Sequence, residues 1–485
     1  MSNIITAPNV NFKTYKHFSG KYKYTRINLN NITGSNVPLS ATASSLMEFK
    51  LPTEVYNLGR SYVSFTEPVV LIATANNYSY AHDNTLAIAD RIQFGSASGN
   101  NLLDLNYANN YIAVARPIDT PLDVFESNDV TSCMYTKESQ AVNFYPVPYT
   151  ATPNNIYGLA AANPGGSATV VASSNLEPMY LSTSVVNKGL ALAKNFPLSG
   201  VVGTILSMDR DQFFGQEMYL RINTAVSGKV AFTSNATFTN NLATATQPIL
   251  NNVCLYLAVE KDVDIISEIM GKYASGQLKY QIPSVTSFRN AVAQGGSTVQ
   301  IQLNNQYGKK LKRVLTTNFN NTETLNTAYD HHNWNAAKVS TFQTYIGSNP
   351  LQESLMSCAQ PATDDASIAA LSCASGLDDW RENAKHCKDS AITSSSAYQL
   401  NWFHADTFNE RNSTELDVDE SNLDEGLSLA MPLSWSIRMN VIPASAVNYT
   451  FCEFIKDIQI TPAGPVIVDA LAVNPVVAAS SNMNF

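Results

Sequence analysis

The sequence predicts an all-β chain built as two eight-stranded jelly-roll sandwiches, with a short linking helix and long loop insertions. Three observations lead there. Most apolar runs are short and alternate with polar residues, and clusters of Pro, Gly, Asn and Ser punctuate them. The chain has 485 residues, whereas a single core stops growing at roughly 250–300. The second half repeats the plan of the first: short strands, one large insertion, closing paired strands.

Residues 1–44 read as a polar N-terminal arm. Lys13, Lys16, Lys21, Lys23 and Arg26 are interleaved with Tyr and Phe, and no acidic residue precedes Glu48. Cations among aromatics can bind phosphates and stack on bases. Five cations are few for condensing a genome, so the rings are read as packing on a neighbour while the cations stay wet. The first sandwich spans 45–260. Its strands run through the alternating residues 46–51, the stretch 60–66 after the turn Tyr56-Asn57-Leu58-Gly59, the apolar run 69–75, and residues 89–95. A loop-rich insertion occupies 96–196. Strand character returns at 197–208 and 216–223, and residues 253–259 close the domain.

The connector spans 261–280. Val263, Ile266, Ile269 and Met270 recur at helical spacing behind Asp262, a predicted N-cap. This helix, over 262–270, is expected to pack across the seam. The second sandwich spans 281–465, with strands at 298–304, 310–317 and 342–347. Its insertion, 348–397, contains a predicted short helix at 377–387. Strands follow at 398–404, 429–441 and 449–461. Residues 466–485 read as a C-terminal tail.

Charge is sparse and uneven. Charged residues form 14% of the chain, which suits a surface buried against copies of itself. From Asp389 onward there are 12 acidic and 3 basic residues, which accounts for the whole net charge of −9. A basic beginning and an acidic end predict two different faces. Six irregularly spaced cysteines make no disulfide framework, and Cys254 and Cys452 are expected as buried thiols. The start lacks a charged segment followed by an apolar core, and the run 69–75 is far short of a membrane span. The protein is expected to be intracellular when made.

No catalytic, cofactor or metal site emerges. Gly95-Ser96-Ala97-Ser98-Gly99 has alanine where a nucleophile elbow needs its nucleophile. His331-His332 lacks a third and fourth ligand, and Cys358, Cys373, His386 and Cys387 do not follow zinc spacing. The acidic run Glu415, Asp417, Asp419, Glu420, Asp424 and Glu425 lacks the turn glycine and terminal glutamate of a calcium loop. It reads as solvated, with a weak divalent-cation site as the alternative. Lys309-Lys310-Leu311-Lys312-Arg313 reads as a strand start, where alternation sends its cations to both faces, rather than as an import signal.

Ile282-Pro283-Ser284-Val285-Thr286-Ser287-Phe288, then 299–304, Tyr307-Gly308-Lys309-Lys310-Leu311-Lys312-Arg313 and Asn318-Phe319-Asn320 carry a resemblance. They resemble the start of the second jelly roll in double jelly-roll major capsid proteins of tailless icosahedral dsDNA viruses, of the polinton-like virus and virophage type. Thr344-Tyr345-Ile346-Gly347-Ser348-Asn349-Pro350-Leu351-Gln352 is similar to the strand-turn segment that follows there. Residues 453–462 are similar to the last strand. In the first half the likeness rests on strand order and closing strands alone.

The resemblance implies two jelly rolls side by side, homotrimers forming pseudo-hexagonal capsomers, and a place in the virion after synthesis inside the host cell. Insertions 96–196 and 348–397 would build outward towers, and residues 415–425 a further outward loop. The arm, with Lys13, Lys16, Lys21, Lys23 and Arg26, would lie at the inner face, towards an internal membrane, minor capsid and penton proteins, or the genome. Ile266→Asp is then expected to abolish capsomer formation before either sandwich unfolds. Deleting 1–44 is expected to spare the trimer and impair assembly. Two alternatives remain. A carbohydrate-binding or glycoside-processing sandwich needs aromatic platforms and, for hydrolysis, two carboxylates about 5–10 Å apart, yet Trp334, Trp380, Trp402 and Trp435 are scattered. A single jelly-roll capsid protein with a projecting domain predicts a denser basic arm.

Overall fold

Alternation sets the faces of the sandwiches. In Gly295–Leu303, Val299, Ile301 and Leu303 are buried while Thr298, Gln300 and Gln302 face solvent. In Met218–Thr224 every second residue from Met218 is buried. Such strands can only sit on a sheet with one face in a core. The computed structural model describes residues 22–31, 34–40, 43–68, 78–80, 88–97, 101–119, 191–226, 231–233, 249–320, 338–357, 403–408, 426–442 and 446–468.

The first half contributes β1 (Tyr22–Asn28), β2 (Leu46–Leu51), β3 (Tyr56–Pro68), β4 (Ala89–Ser96), β5 (Asn101–Asn106), β6 (Ala191–Pro197), β7 (Met218–Thr224) and β8 (Ile249–Glu260). The second contributes β9 (Lys279–Val292), β10 (Gly295–Leu303), β11 (Lys310–Asn320), β12 (Lys338–Ile346), β13 (Asn349–Pro350), β14 (Phe403–Thr407), β15 (Leu433–Ile442) and β16 (Ala446–Thr461). Among the described residues two α-helices accompany them: α1 (Ala108–Asp119), after β5, and α2 (Val263–Ala274), between the halves.

The sheets of the first half run β1-β8-β3-β6 and β2-β7-β4-β5; those of the second run β9-β16-β11-β14 and β10-β15-β12-β13. Adding eight to each number turns the first pair of sheets into the second. The chain is two antiparallel eight-stranded jelly rolls, and the repeat holds at the level of strand pairing. One core fills the first sandwich and continues into the seam with β9 and β16; a second, around Trp435, Ile437, Phe342 and Phe454, fills the second sandwich.

Antiparallel pairing sorts the connections by end. Asn28 pairs with Cys254, Thr66 with Ala193 and Asn251, and Asn106 with Arg91. The connections after odd-numbered strands therefore leave one end of each sandwich, and those after even-numbered strands the other. Contacts between Tyr107 and Tyr449 near one end, and between Phe213 and Tyr280 near the other, align the two halves. Ser357 still pairs with Thr341 of β12, so the connections 107–190 and 358–402 leave the same end. Helix α2 and the entry of the chain at Tyr22, paired with Glu260, lie at the opposite end.

The structure corrects several readings. Residues 22–28 are not arm but β1, hydrogen-bonded to β8 along their whole length; Val37 and Leu39 are fully buried. Lys23 and Arg26 lie on that strand, while Lys13, Lys16 and Lys21 lie outside the described residues. Residues 198–207 are two 3-10 turns, Leu198–Gly200 and Ile205–Ser207, rather than strand, because Thr204 and Ser207 cap the second reciprocally. The loop-rich 96–196 contains β5 and α1. The predicted helix at 377–387, His331-His332, the group Cys358, Cys373, His386 and Cys387, and the acidic residues 415–425 lie outside the described residues. Their flanks are informative for the last. Phe408 donates its N–H to the Lys312 carbonyl near the start of β11, and Leu429 to the Lys309 carbonyl just before it. The chain therefore leaves Phe408 and returns to Leu429 at the end where it enters, opposite the long connections.

Helix α2 starts as expected, with Asp262 accepting from the Asp264 N–H at 3.0 Å. Its packed face is different. Ile265 and Ile269 are buried and Tyr273 stands edge-on to Phe213 at 5.0 Å. Ile266 is half-buried, Met270 is exposed, and Val263 is 71% exposed. The six apolar residues form one broad stripe of roughly 160° at about 100° per residue, so periodicity alone does not choose which edge of it is buried. Ile269→Asp should destabilise the chain by about 2–4 kcal/mol, since it buries an unpaired charge, whereas Val263→Asp should stay within about 0.5 kcal/mol. Urea titration of both variants separates the two faces.

Candidate functional site

The feature that distinguishes this chain from one sandwich is the seam, and its elements come from the stretch the sequence presents as loop. Helix α1 repeats buried residues at Ala108, Tyr111, Ile112 and Ala115, an apolar stripe at helical spacing. Tyr107 precedes it with φ 54°, a left-handed residue that turns the chain from β5 into the helix. The stripe covers the outward face of the sheet β9-β16-β11-β14. Tyr107 meets Tyr449 at 5.1 Å and Tyr111 meets Phe451 at 5.2 Å, both edge to face.

A buried ionic group sits beside these rings. Arg313 donates from Nη2 to Glu453 Oε1 at 2.6 Å and from Nε to Oε2 at 3.0 Å. The Tyr111 hydroxyl lies 2.9 Å from both Glu453 Oε1 and the Val202 carbonyl, sharing its one proton between them. Gly203 makes this approach possible: it holds φ +67°, and a Cβ there would lie 2.7 Å from the Tyr111 hydroxyl. The side chains of Arg313 and Glu453 are only 7% and 11% exposed. A fork of charge-assisted bonds sets direction as well as energy, so this group holds α1 in register on β11 and β16.

Further along the seam, Lys456 Nζ donates to the Leu102 carbonyl of β5 at 3.1 Å, and Ser284 Oγ to the same oxygen at 3.3 Å. Burial pulls the Lys456 ammonium down to about 8 from 10.5, against the opposing pull of Asp104. An unfolded lysine keeps its proton to the ordinary value, so between these two pH values the unfolded chain binds more protons and stability rises with pH. The penalty is fully present below pH 8 and gone above 10.5; its whole size is about 3 kcal/mol. The stability gap between wild type and Lys456→Met should therefore shift by about 2 kcal/mol between about pH 7.5 and pH 10. A pH-independent gap in urea midpoints would show that Lys456 does not titrate in this window.

The second sandwich holds another buried polar group. Asp406 accepts from Trp435 Nε1 at 2.8 Å and from Thr344 Oγ1 at 3.1 Å, and His404 Nε2 lies 2.8 Å from its Oδ1. His404 is 1% exposed and packs on Phe342 at 4.6 Å. Bonded to three side chains and buried, the carboxylate ties β12, β14 and β15 together. Among the described residues no group of three or more His, Cys, Asp or Glu could hold a metal ion, and no helix is long and apolar enough to cross a membrane.

The residues singled out from sequence are not brought together. Lys23 and Arg26 sit on β1, and Val263, Ile266, Ile269 and Met270 sit on α2 at the end of the seam. The basic cluster opens β11, with Lys309 paired to Asp457 at 2.8 Å and Arg313 turned into the seam. Tyr111, Glu453 and Lys456 went unnoticed. The spacing of Ala108, Tyr111, Ile112 and Ala115 was the one signal that could have located the site.

No protein-family model and no curated protein matches this sequence. Solved structures do. The PBCV-1 virus capsid matches over 94% of this chain and 98% of its own, with TM-score 0.53 and 9% identity. The Sputnik virophage matches over 97% and 92% with TM-score 0.48 and 9% identity, and the mavirus major capsid protein over 95% and 94% with TM-score 0.44 and 10% identity. The PBCV-1 likeness carries the comparison of architecture. The chain is a double jelly-roll protein with the fold of the PBCV-1 capsid.

Proposed function

We propose that this chain is the major capsid protein of a tailless icosahedral dsDNA virus, located in the virion. The observation that carries the reading is the internal repeat: two jelly rolls of identical strand order, locked parallel by a buried seam, with connections 107–190 and 358–402 leaving one end. A chain that presents the same unit twice can occupy two corners of a hexagon, and three copies close it. Assembly, not chemistry, is then the activity, and the partners are copies of itself, within the trimer and in neighbouring capsomers, together with minor capsid and penton proteins.

The long connections at one end are the tower material in this reading. In the same reading the chain enters at Tyr22 at the other end, and residues 1–21 are the segment that meets an internal membrane or the genome. We read the acidic segment 415–425 as inner as well, rather than outward as expected from sequence, because its flanks Phe408 and Leu429 bond at the start of β11. The test is the assembly state of the purified chain. A stable trimer that forms particles or sheets without nucleic acid is the expected result. A monodisperse monomer with glycan affinity or hydrolase turnover would overturn the reading.

A further inference from the structure

Helix α2 buries one apolar face and leaves a second uncharged face open. Ile265, Ile269 and Tyr273 pack into the seam, and Asp264, Glu268 and Lys272 line the border beside them. The rest of the circumference, an arc of roughly 140° at about 100° per residue, carries Val263, Ile266, Ser267, Met270, Gly271 and Ala274. All but half-buried Ile266 are exposed. A helix side left to water ordinarily carries the charges; here it carries none. Gly271 adds an independent sign. A glycine inside a helix costs about 0.5–1 kcal/mol relative to alanine, yet a Cβ at 271 would meet no atom within 4 Å. The described fold does not need the missing side chain. A second backbone laid close against the helix does.

The chain's own continuation starts nearby. The short strand Gly464–Ile467 turns back along the end of β16, with Val466 opposite Gln459. Gln459 donates from Nε2 to the Gly276 carbonyl, two residues past α2, at 3.1 Å. The Val468 N–H donates to the Asp457 carbonyl, two residues from Gln459. Residues 469–485 therefore start roughly 20 Å from Ala274, a gap that about six extended residues span. Residues 470–485 hold no charged side chain and are mostly Ala and Val, a composition that gains by leaving water. Residues 1–21 also leave beside α2, since Tyr22 pairs with Glu260, but cations at 13, 16 and 21 suit an uncharged face less well. We infer that residues 469–485 fold back within their own chain and cover the Ile266, Met270 and Ala274 side of α2, with Gly271 admitting their backbone. This surface is independent of the capsid reading.

Peroxide oxidation of Met270 in the full chain, mapped by mass spectrometry, reads the cover directly. Deleting 469–485 should speed it by about tenfold or more, because sulfoxide formation follows exposure. Gly271→Gln should speed it too, with thermal unfolding unchanged or raised, since the described fold leaves room for the side chain and glutamine is the better helix former. Deleting 1–21 should leave the rate unchanged. Equal rates in wild type and both cover variants would overturn the inference, and acceleration only on deleting 1–21 would overturn it in favour of the arm. Cross-linking fixes the geometry. Ser267→Cys with Val476→Cys in one chain should form a 267–476 disulfide, identified in the linked peptides, and mixed single variants should not. A link found only between mixed chains would place a neighbouring copy's tail on α2 and overturn the inference.

Discussion

Glu453→Ala should destabilise the chain by about 3–5 kcal/mol, because it strands the Arg313 guanidinium in the seam without its carboxylate. The effect should also change how the chain unfolds. In wild type one core spans the first sandwich, α1 and the outer face of β16, so the two halves should melt together. With the fork gone, calorimetry should show the halves separating into two transitions. Glu453→Gln keeps acceptor and shape and should lose less. Replacing both partners by apolar residues, Arg313→Met with Glu453→Leu, should recover most of the loss, since a buried pair contributes little net stability. A wild-type melting profile for Glu453→Ala would show that the rings and α1 hold the seam without the ion pair.

Truncation should separate arm from strand. Removing residues 1–21 should leave the melt unchanged. Removing 1–44 deletes β1 and with it the pairing from Tyr22–Glu260 to Asn28–Cys254. It also deletes Val37 and Leu39, both fully buried, a loss of about 3–6 kcal/mol in burial alone. The Tyr22 hydroxyl bond to Asp211, 2.9 Å, goes too. The expected product is an unfolded or aggregated chain, read by near-UV circular dichroism and solubility. The longer deletion therefore cannot test assembly as the sequence suggested; the shorter one can. A well-folded chain lacking 1–44 would mean that β1 is dispensable.

Much of the architecture was legible from residue patterns. The alternation at 298–304 became β10, and 216–223 became β7 within a residue or two, because period-two burial belongs to the strand itself. The helix after Asp262 was legible for a similar local reason, its cap. Strand β1 was not. All its residues are exposed or half-buried, as expected of an edge strand with polar residues, and such a strand looks like an arm until its partner is known.

The sequence by itself determined two β halves of one plan, the helix between them and the lack of any catalytic motif. Tertiary structure decided where those halves meet. Periodicity says that one side of a segment is buried but not against what, so it could not choose Ile265 and Ile269 over Val263 and Met270. Nor could it join Tyr111 to Glu453, 342 residues apart. That contact exists only because β5 hands α1 across to the outer face of the second sandwich, where burial, ring packing and one ionic fork meet in the same place.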